Sequence, residues 1–218
     1  MKLVACVVAV AIVWSVWGGS PVSHAGDGND ITHVNSSVNA SDGQSYGKLT
    51  TVNGDVHVGR STTALEAHTV NGSITLDSDA RVGEVHTVNG SLNINERVAI
   101  EREAHTVNGD VEMARHSRVG GDLATVSGDI ELTGAEVGGE LRTVNGDIAL
   151  TEGSRVRVGI LVKKNKSWNW GKDDDPVKVH ICSTCVVEGD LRFERPVELR
   201  VETGAKIGRV IGESVTRK

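Results

Sequence analysis

Aromatic side chains are scarce in this chain. Its 218 residues include one Tyr, one Phe and four Trp, and two of those Trp lie within the first 17 residues. A globular core of this size normally holds more large rings, because aromatic side chains contribute much of the buried apolar area. Glycine occurs 26 times, and the apolar residues are mostly Val, Ile and Leu. This composition indicates many short strands joined by tight turns.

Long apolar runs are also lacking, except for one at the N-terminus. Met1-Lys2 is followed by the apolar stretch 3–17 and then by a small-x-small sequence that ends at Ala25. This order is typical of a secretory signal peptide, so we predict cleavage between Ala25 and Gly26. An uncleaved membrane anchor is the alternative, but the run is shorter than the roughly 20 residues that a bilayer requires. The sequence therefore predicts an exported mature chain, 26–218, without a membrane span.

A six-residue phrase, close to Thr-Val-Asn-Gly-Asp-Val, recurs along the chain. Its copies begin at Thr51, Thr69, Thr87, Thr106, Thr125 and Thr143. The starts are 18 or 19 residues apart, and a degenerate copy that begins at His33 lies one period earlier. A fixed short period indicates a stacked architecture. The 3.6-residue periodicity of helical repeats is absent, and one Asn-Gly per unit is too few for a chain of hairpins.

We therefore predict an all-β fold, a single-stranded parallel β-helix or β-solenoid, with about 18–19 residues and three short strands per coil. The general preference of parallel crossovers favours right-handed winding. One inward column pairs two apolar positions in each unit: Val56/Val58, Ile74/Leu76, Leu92/Ile94, Val111/Met113, Ile130/Leu132 and Ile148/Leu150. A second column lies two residues before each Thr: Leu49, Ala67, Val85, Ala104, Leu123 and Leu141.

The Asn-Gly pair of each unit is assigned to a corner of the coil. We expect each Asn amide to bond to the next coil and form a ladder, and the Gly to supply a positive φ. The pattern leaves open whether the Thr or the Val of each Thr-Val pair faces the core.

Beyond residue 150 the phrase disappears, but alternating segments continue. We assign the repeats to about 31–160, a polar loop to 163–176 and irregular further coils to 177–211. The whole mature chain is then a single domain, a rod of roughly 45 Å at about 4.8 Å per coil.

The recurring phrase resembles that of the adhesin-like family of exported bacterial β-helix proteins. The resemblance covers about residues 31–150 and continues more weakly to about 211. It implies a β-helical fold and a place in the cell envelope, and it implies no catalytic residues. The segment Val187-Glu188-Gly189-Asp190-Leu191 is also similar to bactofilins, which are β-helical polymers of the cytoplasm.

Two polar columns follow from the repeat. His68, His86 and His105 each precede the Thr of the phrase and would stack about 4.8 Å apart. Three imidazoles in line are able to bind zinc or copper, but Ala124 and Arg142 take the same position further on. We interpret the column as a solvated ladder and predict no metal and no cofactor.

The acidic residues of the phrase form the other column: Asp55, Asp110, Asp129 and Asp147. A flat stripe offers calcium few of the oxygen ligands it needs. We interpret it as a charged face that discourages lateral aggregation.

Charge is distributed unevenly along the chain. Residues 1–154 carry 9 Lys and Arg against 20 Asp and Glu, whereas residues 155–218 carry 14 against 9. The basic end is suited to anionic envelope polymers or to the acidic body of another rod. Ordinary solvated surface is the alternative.

Cys182 and Cys185 are the only cysteines after residue 25. In an exported protein the default is a disulfide. Residues three apart in a strand have Cα atoms about 10 Å apart, so a bond between these two requires a turn at Ser183-Thr184. The neighbours that a thioredoxin-type, zinc or haem motif requires are missing.

Trp168 and Trp170 lie in the polar loop beside several lysines. They are candidates for a partner-binding platform, in which aromatic rings with a cationic rim contact sugar rings or acidic polymer. The alternative is that both rings fold back onto the solenoid.

Taken together, these features predict a non-catalytic β-solenoid of the cell envelope, located in the periplasm, at the outer membrane or outside the cell. An adhesin-like or surface-scaffold role is the first hypothesis, and a bactofilin-like subunit that polymerises end to end is the second. A polysaccharide-active β-helix enzyme is the third, but the loop offers no base–nucleophile pair. The candidate partners are an envelope polymer, a surface glycan or another copy, and no nucleic acid is expected.

Overall fold

The fold is a parallel β-solenoid. The computed structural model describes residues 29–164 and 175–212, together with the backbone of residues 215–217. Within these ranges every regular element is a β-strand and every strand pair is parallel. The same ranges contain no helix that would be long and apolar enough to cross a membrane. The predicted fold class is therefore confirmed, while the hand of the coil stays a prediction.

The strands form two sheets. The larger one, sheet A, has 16 strands. They are Ile31–Thr32, Ser45–Asn53, Thr63–Asn71, Arg81–Asn89, Ala99–Ile100, Ala104–His105, Arg118–Val119, Leu123–Ala124, Glu136–Val137, Glu140–Thr143, Arg155–Val156, Gly159–Val162, Val186–Val187, Asp190–Phe193, Lys206–Ile207 and Val210–Gly212.

The other sheet, sheet B, has ten strands. They are Val38–Ala40, Val56–Val58, Ile74–Leu76, Leu92–Ile94, Val111–Met113, Ile130–Thr133, Ile148–Thr151, Val177–Ile181, Val197–Val201 and Val215–Arg217. Nine steps of about 4.8 Å separate its first and last strands, which gives a rod of roughly 43 Å.

Sheet A changes along the rod. Its early strands Ser45–Asn53, Thr63–Asn71 and Arg81–Asn89 are nine residues long, so two of the three predicted strands run together there. From Ala99 onward each coil has the three separate short strands that the sequence predicts. Gly120 and Gly121 lie in the break, where a Cβ would approach the carbonyl oxygens of Glu101 and Arg102 within 2.3 and 2.6 Å. The coil beneath therefore leaves no room for a side chain at these two positions.

The core is a set of apolar columns. Both predicted columns are confirmed, since every member is at most 2% exposed. The register places Leu123 between Ala104 and Leu141, and Leu132 between Met113 and Leu150. Each aliphatic side chain thus packs on its counterparts in the coils above and below. A thin core of this kind needs no large aromatic rings.

The Thr of each Thr-Val pair faces the core, and the Val faces outward. All six Thr of the phrase are 0–3% exposed, whereas Val107 and Val126 are 38% and 40% exposed. Five of these hydroxyls donate to a carbonyl of the preceding coil, as Thr69 and Thr87 do to Gly54 and Gly72 at 2.8 and 2.9 Å. The sixth, Thr143 Oγ1, is buried without a hydrogen-bond partner among the described residues. Alternation in the sequence could not decide this, because both residues are β-branched.

The asparagine ladder is confirmed over five coils. The Asn71 side-chain amide donates to Asn53 Oδ1 at 2.8 Å, and the same bond recurs at every step from Asn35 to Asn108. Ser127 interrupts the ladder. At the next position Asn145 Oδ1 accepts a hydrogen bond from the Arg195 guanidinium, which also donates to the Val144 carbonyl at 2.9 Å.

The C-terminal coils continue the same stack. The predicted coils over 177–211 are present, and their first strands are Val177–Ile181, Val186–Val187 and Asp190–Phe193. Val197–Val201 follows, and Lys206–Ile207 pairs with Val186–Val187.

Candidate functional site

Four of the predicted site residues lie outside the described residues. These are the cleavage pair Ala25 and Gly26 and the partner-binding pair Trp168 and Trp170. The roles assigned to all four stay predictions.

The predicted cysteine pair is confirmed. Cys182 and Cys185 form a disulfide with their Cα atoms 5.1 Å apart. The preceding strand ends at Ile181, and Ser183-Thr184 form the turn that the bond requires. Cys185 is fully buried and Cys182 is 9% exposed. The pair closes a corner between the strands Val177–Ile181 and Val186–Val187.

We expect no free thiol in the mature protein. Protein without residues 1–25, unfolded in denaturant under non-reducing conditions, should give no reaction with a thiol reagent, and the same sample should give two thiols per chain after reduction. Unfolding removes the protection that burial gives to Cys185. Two reactive thiols before reduction would contradict the assignment.

The acidic stripe has a structural role. Asp55 Oδ1 accepts the backbone N–H of Ser73 at 2.8 Å, and Asp110 Oδ1 accepts that of Asp129 at 2.8 Å. Asp129 repeats the contact with Asp147 at 2.7 Å. These carboxylates therefore satisfy donors at the corner where each coil enters sheet B.

Three histidines stack on the outer face of sheet A. His68 pairs in register with His86, and His86 pairs with His105. Their ring centroids are 4.8 and 5.3 Å apart, and the rings are stacked in both pairs. The predicted column is therefore present, but it is not simply solvated: the His68 and His86 side chains are only 17% and 15% exposed.

Three glutamates accompany these histidines, and the predictions above missed them. Each unit contains Glu-x-His, at Glu66–His68, Glu84–His86 and Glu103–His105. Residues two apart in a strand share a face, so each carboxylate lies on the same side of the sheet as its imidazole. His86 Nε2 is 3.7 Å from Glu84 Oε1, and His105 Nε2 is 3.0 Å from Glu103 Oε2. The spacing of two was the signal that could have revealed them.

Two cations complete this face. Lys48 Nζ lies 3.0 Å from Glu66 Oε2, and Arg102 Nη2 lies 3.1 Å from Glu84 Oε2. The second contact leaves Glu84 Oε1 directed toward the histidines, 3.9 Å from His68 Nε2 and 3.7 Å from His86 Nε2. His68 Nε2 is buried and has no hydrogen-bond partner within the described residues.

The surroundings favour neutral imidazoles. Burial lowers the pKa of His68 from its ordinary value, and the neighbouring His86 lowers it further, while Glu66 and Glu84 oppose the change. Burial also lowers the pKa of His86, followed by the effect of His105, and Glu103 and Glu66 oppose it. Both shifts favour the neutral imidazole, which keeps a lone pair on one ring nitrogen.

Comparisons of this chain with family models, with curated proteins and with solved structures find no match.

Proposed function

We propose that this protein is a non-catalytic structural element of a bacterial cell envelope, in which the solenoid acts as an adhesin-like rod or a surface scaffold. The observation that carries the proposal is the bonding between coils. The backbone ladders of both sheets join every described coil to the next, and Asn, Thr and Asp side chains add further hydrogen bonds between coils of the repeat.

Such bonding suits a mechanical or spacing role. In a solenoid each coil contacts only its neighbours, and side-chain hydrogen bonds between coils stabilise those interfaces. The outward residues also recur at the spacing of the coils, as the exposed Val107 and Val126 do. A linear array of similar groups is better matched to an extended polymer or glycan than to one small molecule.

The place in the envelope rests on two further features. The disulfide favours an oxidising compartment. The apolar N-terminal stretch 3–17, with small residues up to Ala25, is typical of a signal for export.

We expect the chain to be exported and cleaved. The full chain with a C-terminal tag, expressed in a bacterium, should be recovered from the envelope or medium with Gly26 at its N-terminus by intact-mass measurement. Ala25→Phe places a large side chain at the cleavage position and should retain residues 1–25. Recovery of the unsubstituted chain from the cytosol with Met1 intact would contradict export. Cleavage of envelope glycans by the purified mature protein would contradict the non-catalytic role and favour the β-helix enzyme.

End-to-end polymerisation is the second candidate. Within the described ranges, the terminal strands of sheet B, Val38–Ala40 and Val215–Arg217, each have one neighbour. An open strand edge is able to pair with another chain. Light scattering that shows a particle mass rising steeply with protein concentration would favour this assembly role, and a constant monomer mass would favour the isolated rod.

A further inference from the structure

The three groups His68, Glu84 and His86 have the composition of a transition-metal site. Their ligand atoms, one from each residue, all lie within 4.8 Å of one another, and each side chain is partly buried. We propose that these three residues bind one Zn²⁺ ion through His68 Nε2, Glu84 Oε1 and His86 Nε2, with solvent in the fourth position. This inference does not depend on the structural role proposed above.

The separations between the three ligand atoms are somewhat larger than those around a bound zinc ion. Glu84 Oε1 is 3.9 Å from His68 Nε2 and 3.7 Å from His86 Nε2. Zinc binds imidazole and carboxylate at about 2.0–2.2 Å, so ligand atoms around a tetrahedral ion are about 3.4 Å apart. The two Glu84 separations exceed that value by a few tenths of an ångström, and the histidine ligand atoms lie within 4.8 Å of each other. Side-chain rotations that bring the two imidazoles toward Glu84 would complete the site.

The orphaned nitrogen is an independent observation. His68 Nε2 is buried without a hydrogen-bond partner in the described part of the chain. A buried polar atom left unsatisfied costs free energy, and such atoms are rare in native structures. In the tautomer with the proton on Nδ1, a cation beside Nε2 would bind its lone pair and would also be attracted by Glu84.

The neighbouring contacts select one position in the column. Arg102 holds Glu84 Oε2 at 3.1 Å and so leaves Oε1 available to the ion. Oriented carboxylates of this kind are typical of metal sites, where outer partners position the ligands. The corresponding groups of the next coil are already paired, with His105 Nε2 3.0 Å from Glu103 Oε2. This pairing explains why His105 does not complete a second site.

The ligand types narrow the identity of the ion. Two imidazoles and one carboxylate suit zinc and other borderline first-row metals, whereas calcium and magnesium prefer sets made entirely of oxygen. Three protein ligands with one open position resemble zinc sites that hold a water molecule, in contrast to closed structural sites with four.

The test is a calorimetric titration with Zn²⁺. The mature protein is first treated with a chelator, which is then removed. We expect one ion per chain in the unsubstituted protein. Glu84→Gln and His86→Gln should each weaken Zn²⁺ affinity by at least about 10–100-fold. Loss of an outer partner of a metal already weakens affinity by that factor, and these two residues are direct ligands. Calcium, titrated as a control, should give no saturable signal.

Matched controls separate this site from other surface histidines. His105→Gln changes the third ring of the column, and His57→Gln changes a histidine on sheet B that is paired with Asp77. Both should bind Zn²⁺ within about 3-fold of the unsubstituted protein, because neither supplies a ligand. Equal binding by all four variants would overturn the proposal, as would the absence of a saturable one-to-one isotherm in the unsubstituted protein.

Folding of the variants is checked in the same experiment. Circular dichroism and thermal melting in the presence of chelator should match the unsubstituted protein, because all four substituted side chains lie outside the buried core and Gln retains the size of Glu. Added Zn²⁺ should raise the melting temperature of the unsubstituted protein and of His105→Gln, but not that of Glu84→Gln. If Zn²⁺ raises the melting temperature of Glu84→Gln equally, the assignment is wrong.

Discussion

Gly90→Ala should destabilise the rod by about 4 kcal/mol, a large effect for the addition of one methyl group. A Cβ at residue 90 would lie 2.0 Å from the Gly72 carbonyl oxygen and 2.4 Å from its carbon. Both are backbone atoms of the preceding coil and cannot move aside as the end of a flexible side chain can. Accommodating the methyl group requires the two coils to separate, which breaks hydrogen bonds on both sides of the corner.

The measurement is the midpoint of urea-induced unfolding, compared with that of Gly43→Ala. Gly43 has a φ of 69°, and a Cβ there would meet no atom within 4 Å. Gly43→Ala should lower the free energy of unfolding by only roughly 1 kcal/mol, the cost of placing an alanine in a left-handed backbone conformation. Similar losses at the two positions would show that conformational freedom, and not the approach of the coils, explains the glycines of the repeat.

One expectation from the sequence is confirmed only in part. The Gly of the repeated motif was expected to supply a positive φ at the corner. It does so at Gly54, Gly109, Gly128 and Gly146, where φ lies between 148° and 159°, but not at Gly72 and Gly90. The stronger constraint is contact with the coil beneath, which is repeated at Gly72 and Gly90. A sequence pattern reveals that a glycine is needed, but the reason depends on the neighbouring coil.

Most of the fold could be predicted from the repeat. A period of 18 or 19 residues and an alternating apolar pattern were enough to predict parallel stacking and both inward columns. Register follows from the period alone, because each residue stacks on its copy in the next unit. This is why Val56 pairs with Ile74, and Ile74 with Leu92.

The candidate site was harder to predict because it depends on contacts between units. The histidine column followed from the repeat, but the direction of Glu84 depends on Arg102 in the following coil. The burial of His68 Nε2 likewise has no signal in the repeat. Arg102 precedes Glu103, whereas the residue that precedes Glu84 one unit earlier is Gly83. Glu66, which pairs in register with Glu84, therefore has no arginine of this kind in the coil that follows it. Departures from a repeat therefore show where the rod differs locally, and here they produce the arrangement of His68, Glu84 and His86.

Leu132→Ala should lower the free energy of unfolding by about 3–4 kcal/mol. Leu132 is fully buried and lies in register between Met113 and Leu150. Its removal leaves a cavity between two coils that the backbone ladders of sheet B hold at a fixed spacing. The column therefore cannot collapse to fill the space, and the loss should lie in the upper part of the usual range for such substitutions.

Two variants show that packing, and not the substitution as such, is responsible. Leu132→Met should cost less than about 1.5 kcal/mol, since the adjacent coil already holds Met113 in the same column. Leu65→Ala removes the same atoms from a side chain that is 59% exposed and should change stability by no more than about 0.5 kcal/mol. All three are measured by urea unfolding under one set of conditions. A loss for Leu65→Ala as large as that for Leu132→Ala would mean that the outer face of sheet A is covered in solution, and the rod would then have to be treated as part of a larger assembly.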